Sequence, residues 1–171
     1  MKDKDIDFLK NISIFNDLRE DEIKKIISIL KIIKYKTGEI IINEGEIGDT
    51  MFVFKEGKVQ ISHQITLKLG SSWGEAEKSM AILDGSTIGF FGEMSLLTGA
   101  PRSATIKAIT DCTLYKIEKN DFERFAKRNP IIAYSIMEKI AKVLSNRIVG
   151  MNDNILKLTT ALSIALSKRK K

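Results

Sequence analysis

Glycine recurs at short intervals through the middle of this 171-residue chain, and short runs of β-forming residues fill the intervals. Ten of the eleven glycines lie between residues 36 and 118. The clearest β-rich runs span residues 39–43, 51–55, 58–62, 103–109 and 112–117. Short strands bounded by turns are typical of an all-β barrel, sandwich or jelly roll. We therefore predict a β body over about residues 36–118, with an exposed hairpin loop at 70–75.

Helical periodicity flanks the predicted β body on both sides. In residues 3–35 the apolar side chains of Ile23, Ile26 and Leu30 fall at helical spacing, which predicts helix throughout that segment. A second, short helix is predicted over residues 121–127. Asn129 and Pro130 then suit an N-cap and a first helical position, so a long helix should run from there to about residue 166.

Apolar residues of the long helix recur with gaps of three and four, close to a heptad repeat. They are Ile140, Leu144, Ile148, Met151, Ile155, Leu158, Leu162 and Ala165. A helix of this length spans roughly 54 Å and is too long to bury the whole stripe on a small β body. We predict a parallel homodimer through this helix. The alternatives are that it folds back on its own domain and that Gly150 marks a bend.

Charge and composition exclude several classes of function. Residues 142–171 hold seven bases and one acid, so they account for the whole net charge of +6 and leave residues 1–141 balanced. A nucleic-acid-coating surface is therefore not expected, and the basic C-terminus is either a solvated tail or a weak contact for an acidic partner or nucleic acid. One cysteine and one histidine supply too few ligands for an ordinary zinc or iron–sulfur site. We expect a cytoplasmic protein without a membrane helix, a metal or a catalytic site.

The most informative segment is residues 91–105, FGEMSLLTGAPRSAT. Gly92 permits close approach of a ligand to the main chain, and the turn at residues 94–97 offers N–H groups to an anion. Arg102 can hold two phosphate oxygens, and Glu93 can accept hydrogen bonds from a sugar hydroxyl. The spacing fits a sugar phosphate with one negative charge. It fits a Glu93–Arg102 salt bridge without a ligand equally well.

This segment resembles the phosphate-binding cassette of cyclic-nucleotide-binding domains, the family of catabolite activator proteins and of regulatory subunits of cyclic-AMP-dependent kinases. The resemblance favours the ligand over the salt bridge, and it covers about residues 12–150. Further segments resemble other landmarks of the family in the same order: Phe15-Asn-Asp-Leu, Tyr35-Lys-Thr-Gly-Glu-Ile-Ile, Glu44-Gly-Glu-Ile-Gly-Asp-Thr-Met-Phe, Lys55-Glu-Gly-Lys-Val and Asp121-Phe.

The resemblance implies a mainly β fold with flanking α, a β-roll of jelly-roll type with N-terminal helices and a long C-terminal helix. Residues 1–128 would form the nucleotide-binding domain, and residues 129–171 the lid or dimerisation helix with its basic tail. Glu93 would bind the ribose 2′-hydroxyl and Arg102 the cyclic phosphate, with main-chain N–H groups nearby as further donors. The predicted ligand-binding residues are Phe91, Gly92, Glu93, Met94, Ser95, Arg102, Ser103, Ala104 and Arg147.

The base-facing half of the predicted site follows the family less closely. Ser103 is compatible with cyclic AMP or cyclic GMP, and because serine also follows the arginine in catabolite-activator-like proteins, cyclic AMP is favoured. In that group the long helix closes over the base, which would bring Arg147 and Ile148 to the pocket in place of the expected small hydroxyl residues. Arg147 would stack on the base, bond to it, or remain solvated.

The function implied is that of a sensor in which a cyclic nucleotide repositions the C-terminal helix. Only Lys168-Arg-Lys-Lys follows that helix, so no DNA-binding domain is expected within this chain. Two alternatives remain open: a dimerisation or scaffold module that no longer uses its cassette, and a truncated transcription regulator of the catabolite-activator type.

Overall fold

The computed structural model describes residues 3–69, 72–85 and 89–168, which form a β-roll with helices at both ends. The strands are β1 (Lys31–Tyr35), β2 (Ile40–Ile42), β3 (Thr50–Glu56), β4 (Lys58–Leu69), β5 (Ser72–Asp84), β6 (Phe90–Phe91), β7 (Thr105–Ala108) and β8 (Cys112–Glu118). The helices are α1 (Asp3–Lys10), α2 (Glu20–Ile27), α3 (Glu93–Thr98), α4 (Lys119–Arg128) and α5 (Pro130–Lys168).

Two four-stranded sheets make up the roll in the described part of the chain, and all their strand pairs are antiparallel. One sheet has the order β1-β8-β3-β6 and the other the order β2-β7-β4-β5. Apart from the β4–β5 hairpin, paired strands are not consecutive in sequence, as in a jelly roll. The predicted fold, a jelly-roll type of β-roll between N-terminal helices and a long C-terminal helix, is confirmed.

Two of the predicted elements were wrong in extent. The N-terminal helical zone ends at Ile27, and residues 31–35 form β1 because the Lys-Ile-Ile-Lys-Tyr run pairs with β8 along its whole length. Residues 72–75 of the expected loop belong to β5, which pairs with β4 from Lys58↔Asp84 to Leu69↔Ser72, and residues 70 and 71 lie outside the described part of the chain. Backbone pairing along this hairpin overrides a sequence without clear alternation. Trp73 lies in this segment, and its side chain falls outside the described part of the chain.

Alternating side chains of the central strands separate two apolar cores. On β3, Phe52 and Phe54 point between the sheets, while Met51 and Val53 point toward the helices. On β6, Phe91 joins the inner core and Phe90 joins the helical core. The two-residue strand β6 therefore ties the roll to the helices immediately before residue 92.

Helix α5 begins at Pro130, as predicted, and runs without interruption through Gly150 to Lys168, so it spans roughly 58 Å. Asn129 departs from the expected side-chain cap, because its amide nitrogen donates to the carbonyl oxygen of Phe125 in α4. The first third of α5 packs into the helical core through residues such as Ile136 and Ile140. From residue 148 to residue 167 every side chain is exposed. The division of the chain at residues 128–129 into two functional units stays a prediction.

Candidate functional site

A cavity of about 580 Å³ lies between the β-roll and α5. All nine residues predicted for the site line it, and the strands β2, β4, β5 and β7 add an apolar wall. That wall is formed by Ile42, Ile61, Ala81, Leu83 and Ile106. The cavity thus has an apolar floor on the roll and a polar rim made by residues 92–95, residues 102–104 and α5.

Arg102 is the most tightly held side chain of the cavity. Its Nη1 donates to the carbonyl oxygen of Thr50 at 2.7 Å and to that of Gly92 at 3.3 Å, and its Nη2 donates to the Thr50 hydroxyl at 2.7 Å. All three acceptors are neutral. Within the described residues no carboxylate lies within 4.0 Å of this guanidinium.

Burial makes the charge of Arg102 significant, because the residue is only 8% exposed. Desolvation lowers the pKa of Arg102, and the more distant carboxylates of Asp49 and Glu46 act against that shift. A buried cation without a paired anion is costly unless a ligand provides the charge. The site can therefore attract an anion.

Two glycines make room for this arrangement. A Cβ atom on Gly48 would lie 2.1 Å from Nε of Arg102, so the guanidinium occupies the space that any side chain there would fill. Gly92 has a φ of +80°, and its Cβ would lie 3.0 Å from the Thr50 carbonyl oxygen. After Gly92 the chain enters α3, whose first amides point along the helix axis without intrahelical acceptors. Met94 and Ser95 belong to this first turn and line the cavity.

Glu93 forms an ion pair with Arg147 of α5, and the expected alternative pair between Glu93 and Arg102 is not formed. The Glu93 side chain is 3% exposed and that of Arg147 is 33% exposed. The guanidinium of Arg147 also lies over the Phe90 ring, 5.6 Å from its centre. Arg147 is therefore only partly solvated, and its guanidinium is engaged by Glu93 and Phe90. It connects the long helix to the first residue of α3.

The α5 side of the cavity differs from the prediction in one position. Ile148 is 58% exposed and does not line the cavity, so its placement at the pocket was wrong. Gly150, Met151 and Asn154 line it instead, three, four and seven residues after Arg147. That spacing is the repeat of one helical face, and counting it from Arg147 would have found them.

Three further residues described below belong to the site and were not predicted from the sequence. Thr50 and Gly48 lie within the Glu44–Phe52 landmark, but nothing in their residue types linked them to Arg102. His63 of β4 also lines the cavity, and its Nδ1 lies 3.4 Å from a carboxylate oxygen of Glu44. Among the described residues no cluster of three or more His, Cys, Asp or Glu side chains could hold a metal. In the same part of the chain, none of the helices combines the length and apolar character needed to span a bilayer.

Comparison with known proteins agrees with this geometry. Residues 32–129 match the family model described as cyclic nucleotide-binding domain. A cGMP-dependent protein kinase of Drosophila melanogaster is 30% identical over 128 residues, which are 75% of this chain and 10% of the kinase. The cyclic AMP receptor protein of Thermus thermophilus is 26% identical over 136 residues, which are 80% of this chain and 59% of the receptor.

A solved structure supports the same fold. The cyclic nucleotide-binding domain from Methylobacillus flagellatus aligns with a TM-score of 0.76 and 20% identity, covering 90% of this chain and 84% of the other. At that identity the likeness concerns the fold. The chain spans from a tenth to three fifths of the length of the two sequence relatives described above.

Proposed function

The chain belongs to the cyclic nucleotide-binding domain family, and from this premise we propose that its cavity binds a cyclic purine nucleotide, with cyclic AMP preferred over cyclic GMP. Domains of this family are generally regulatory and not catalytic, and we assign the chain a sensing function without a cofactor. The cysteine at position 112 is a free, buried thiol, which suits a reducing cytoplasm. The charge balance of residues 1–141 makes nucleic acid an improbable partner.

The observation that carries the proposal is the buried guanidinium of Arg102, whose hydrogen bonds all go to neutral acceptors. Three of its five N–H groups are used in these bonds, so two remain for phosphate oxygens. The first amides of α3 lie beside it and favour the same negative charge. A cyclic phosphate carries one negative charge, which matches one cation.

The ribose would lie against Glu93. This carboxylate is buried at the start of α3 and faces the same cavity as Arg102. Because Gly92 carries no side chain, the sugar can approach the main chain there closely. A 2′-hydroxyl would donate to Glu93, which requires Glu93 to share or exchange its partner Arg147.

We base the preference for cyclic AMP on the resemblance at Ser103, because serine also follows the arginine in catabolite-activator-like proteins. The Ser103 hydroxyl is exposed at the rim of the cavity. The apolar floor can accept the face of a purine, and the polar side chains of Asn154 and His63 line the same cavity. The relatives named above include one protein titled for each nucleotide, so they do not favour either.

Coupling to α5 would pass through the Glu93–Arg147 pair. A ligand shifts a conformational equilibrium only if it binds one arrangement better than the other. Since the ribose and Arg147 address the same carboxylate, nucleotide binding changes the free energy of the contact that holds this part of α5. We propose that α5 is repositioned in this way.

Titration calorimetry of the full chain with cyclic AMP and cyclic GMP tests the proposal. We expect binding of both, tighter for cyclic AMP, and loss of at least a hundredfold in affinity for Arg102→Ala. Arg124→Ala is the matched control, because Arg124 is an exposed arginine of α4 outside the cavity. Hydrogen exchange of the α5 amides with and without nucleotide tests the coupling. No binding at millimolar nucleotide, or wild-type affinity of Arg102→Ala, would refute the proposal.

We further propose a parallel homodimer through the exposed half of α5. Ile148 and Ile155 fall at a positions and Met151 and Leu158 at d positions, and all four side chains are 56–70% exposed. β-branched residues at a with leucine-like residues at d favour two parallel strands. Sedimentation velocity should show a dimer for wild type and a monomer for Leu158→Glu, whereas Lys157→Glu, on another face of the helix, should remain dimeric. A dimer that forms while both nucleotides fail to bind would favour a scaffold module.

A further inference from the structure

Thr50 holds the Arg102 guanidinium at two different atoms. The main-chain carbonyl of Thr50 accepts from Nη1 and its hydroxyl accepts from Nη2, both at 2.7 Å. A single contact would allow the planar group to pivot, whereas two contacts on different nitrogens define its orientation. The hydroxyl is the contact that a substitution can remove, because the carbonyl belongs to the main chain.

The support beneath Thr50 is rigid. Thr50 is the first residue of β3, a central strand that pairs with β8 on one side and β6 on the other. It lies opposite Glu118, and the neighbouring Asp49 carbonyl accepts a 2.7 Å hydrogen bond from the amide of Lys119. Gly48 lets the guanidinium lie against the main chain. Arg102 is therefore held by a residue whose main chain is fixed within a central strand.

The contacts with Thr50 determine which edge of the Arg102 guanidinium is left to bind a ligand. Nη1 is engaged by two carbonyls, and one hydrogen of Nη2 is engaged by the hydroxyl. The N–H of Nε and the second hydrogen of Nη2 share one edge of the group, and within the described residues neither has an acceptor. Two parallel donors on one edge are the geometry that binds two oxygens of a phosphate.

We infer that Thr50 is a positioning residue of the phosphate site, whose hydroxyl and carbonyl present the Nε edge of Arg102 to the anion. This inference rests on the proposed function. It predicts that the side-chain hydroxyl of Thr50 contributes to nucleotide affinity without touching the nucleotide. It also predicts that the contribution of the hydroxyl changes when one exocyclic phosphate oxygen, rather than the other, is replaced.

Titration calorimetry of Thr50→Val and Thr50→Ser with cyclic AMP provides the first test. Removing a hydrogen bond to a charged group should weaken binding by roughly ten- to a hundredfold in Thr50→Val. Thr50→Ser keeps the hydroxyl and should bind within threefold of wild type. Thr113→Val, a threonine substitution in β8 outside the cavity, is the control for strand effects. Equal affinity of wild type and Thr50→Val would overturn the inference.

The two phosphorothioate diastereomers of cyclic AMP, which replace one or the other exocyclic oxygen by sulfur, provide a readout that a structural defect would not change. We expect wild type and Thr50→Ser to bind the two diastereomers with different affinities. In Thr50→Val the logarithm of the ratio of the two affinities should fall by at least half. An unchanged ratio in Thr50→Val would overturn the inference.

A measurement on the unmodified chain covers the case in which Thr50→Val does not fold. Separate, slowly exchanging Nη signals of Arg102 in side-chain NMR are expected if Thr50 restrains the group, and averaged Nη signals would overturn the inference. This measurement needs no nucleotide. If wild type bound neither cyclic nucleotide, the proposed function would fail while the NMR result still decided the role of Thr50.

Discussion

Replacing Arg147 by methionine should destabilise the fold, because it leaves the carboxylate of Glu93 buried without its cation. Removing one partner of a buried pair costs about 3–5 kcal/mol, whereas an exposed pair contributes about 0–1 kcal/mol. The Glu93 side chain is 3% exposed but that of Arg147 is 33% exposed, so water screens the pair in part. We therefore expect a loss of about 2 kcal/mol in the free energy of unfolding.

Lys142→Met is the matched control for this substitution. Lys142 lies on the same helix and pairs with Glu138 at 2.6 Å, but the two side chains are 63% and 43% exposed. Its loss should cost no more than about 0.5 kcal/mol. Urea denaturation followed by circular dichroism measures both variants, at one protein concentration because dimerisation would change the apparent stability. A difference of less than about 0.5 kcal/mol between the two variants would refute the reasoning.

The same variant tests how the nucleotide reaches α5. If the ribose hydroxyl must displace Arg147 from Glu93, Arg147→Met should bind cyclic AMP more tightly, by up to about 30-fold for about 2 kcal/mol. It should also lose the effect of the nucleotide on hydrogen exchange in α5. Weaker binding would instead mean that Arg147 contacts the nucleotide directly, and the exchange mechanism would be wrong.

Three further predictions follow from single positions. Gly48→Ala places a Cβ atom 2.1 Å from Nε of Arg102, so calorimetry should show at least a tenfold loss of cyclic AMP affinity. Gly150→Ala meets nothing within 4 Å in α5 and should raise the free energy of unfolding in urea by about 1 kcal/mol. Hydrogen bonds, the largest from Lys36 and the next from Thr37, lower the pKa of Asp111 from 3.8 to about 2. The contribution of Asp111 to the stability of the fold is therefore present above pH 3.8 and is lost as the pH falls toward 2. Asp111→Asn should remove that part of the acid dependence of unfolding.

The sequence predicted one half of the cavity because the residues that form this half are close together in the sequence. Residues 91–95 and 102–104 are linked by one helical turn, and local rules place a glycine, an acid and an arginine around it. The two flanking helical regions and most strands were likewise visible as local periodicity. The strands β1 and β6 were not, because their partners β8 and β3 lie far away in the sequence, and β5 was not, because its sequence lacks clear alternation.

The remainder of the cavity depends on contacts between distant segments. Thr50 lies 52 residues before Arg102, and its hydroxyl gave no indication in the sequence of a bond to that guanidinium. Spacing offered Arg102, nine residues away, as one possible partner of Glu93, whereas the structure pairs Glu93 with Arg147, 54 residues away on α5. Which of two arginines pairs with a given carboxylate is decided by how the helix packs on the roll, and residue spacing carries no information on that.

We propose separate functions for these two arginines: Arg102 binds the ligand and Arg147 transmits the response to α5. Arg102 is hydrogen-bonded to Thr50 of β3, so the position of its guanidinium does not depend on a hydrogen bond to α5. Arg147 belongs to α5, and its partner Glu93 is the group that a ribose would use. A ligand with a phosphate but without a 2′-hydroxyl would therefore occupy the cavity and leave α5 where it is. Because only a differential interaction shifts the equilibrium, we expect the phosphate to determine whether a ligand binds and the ribose to determine whether the helix responds.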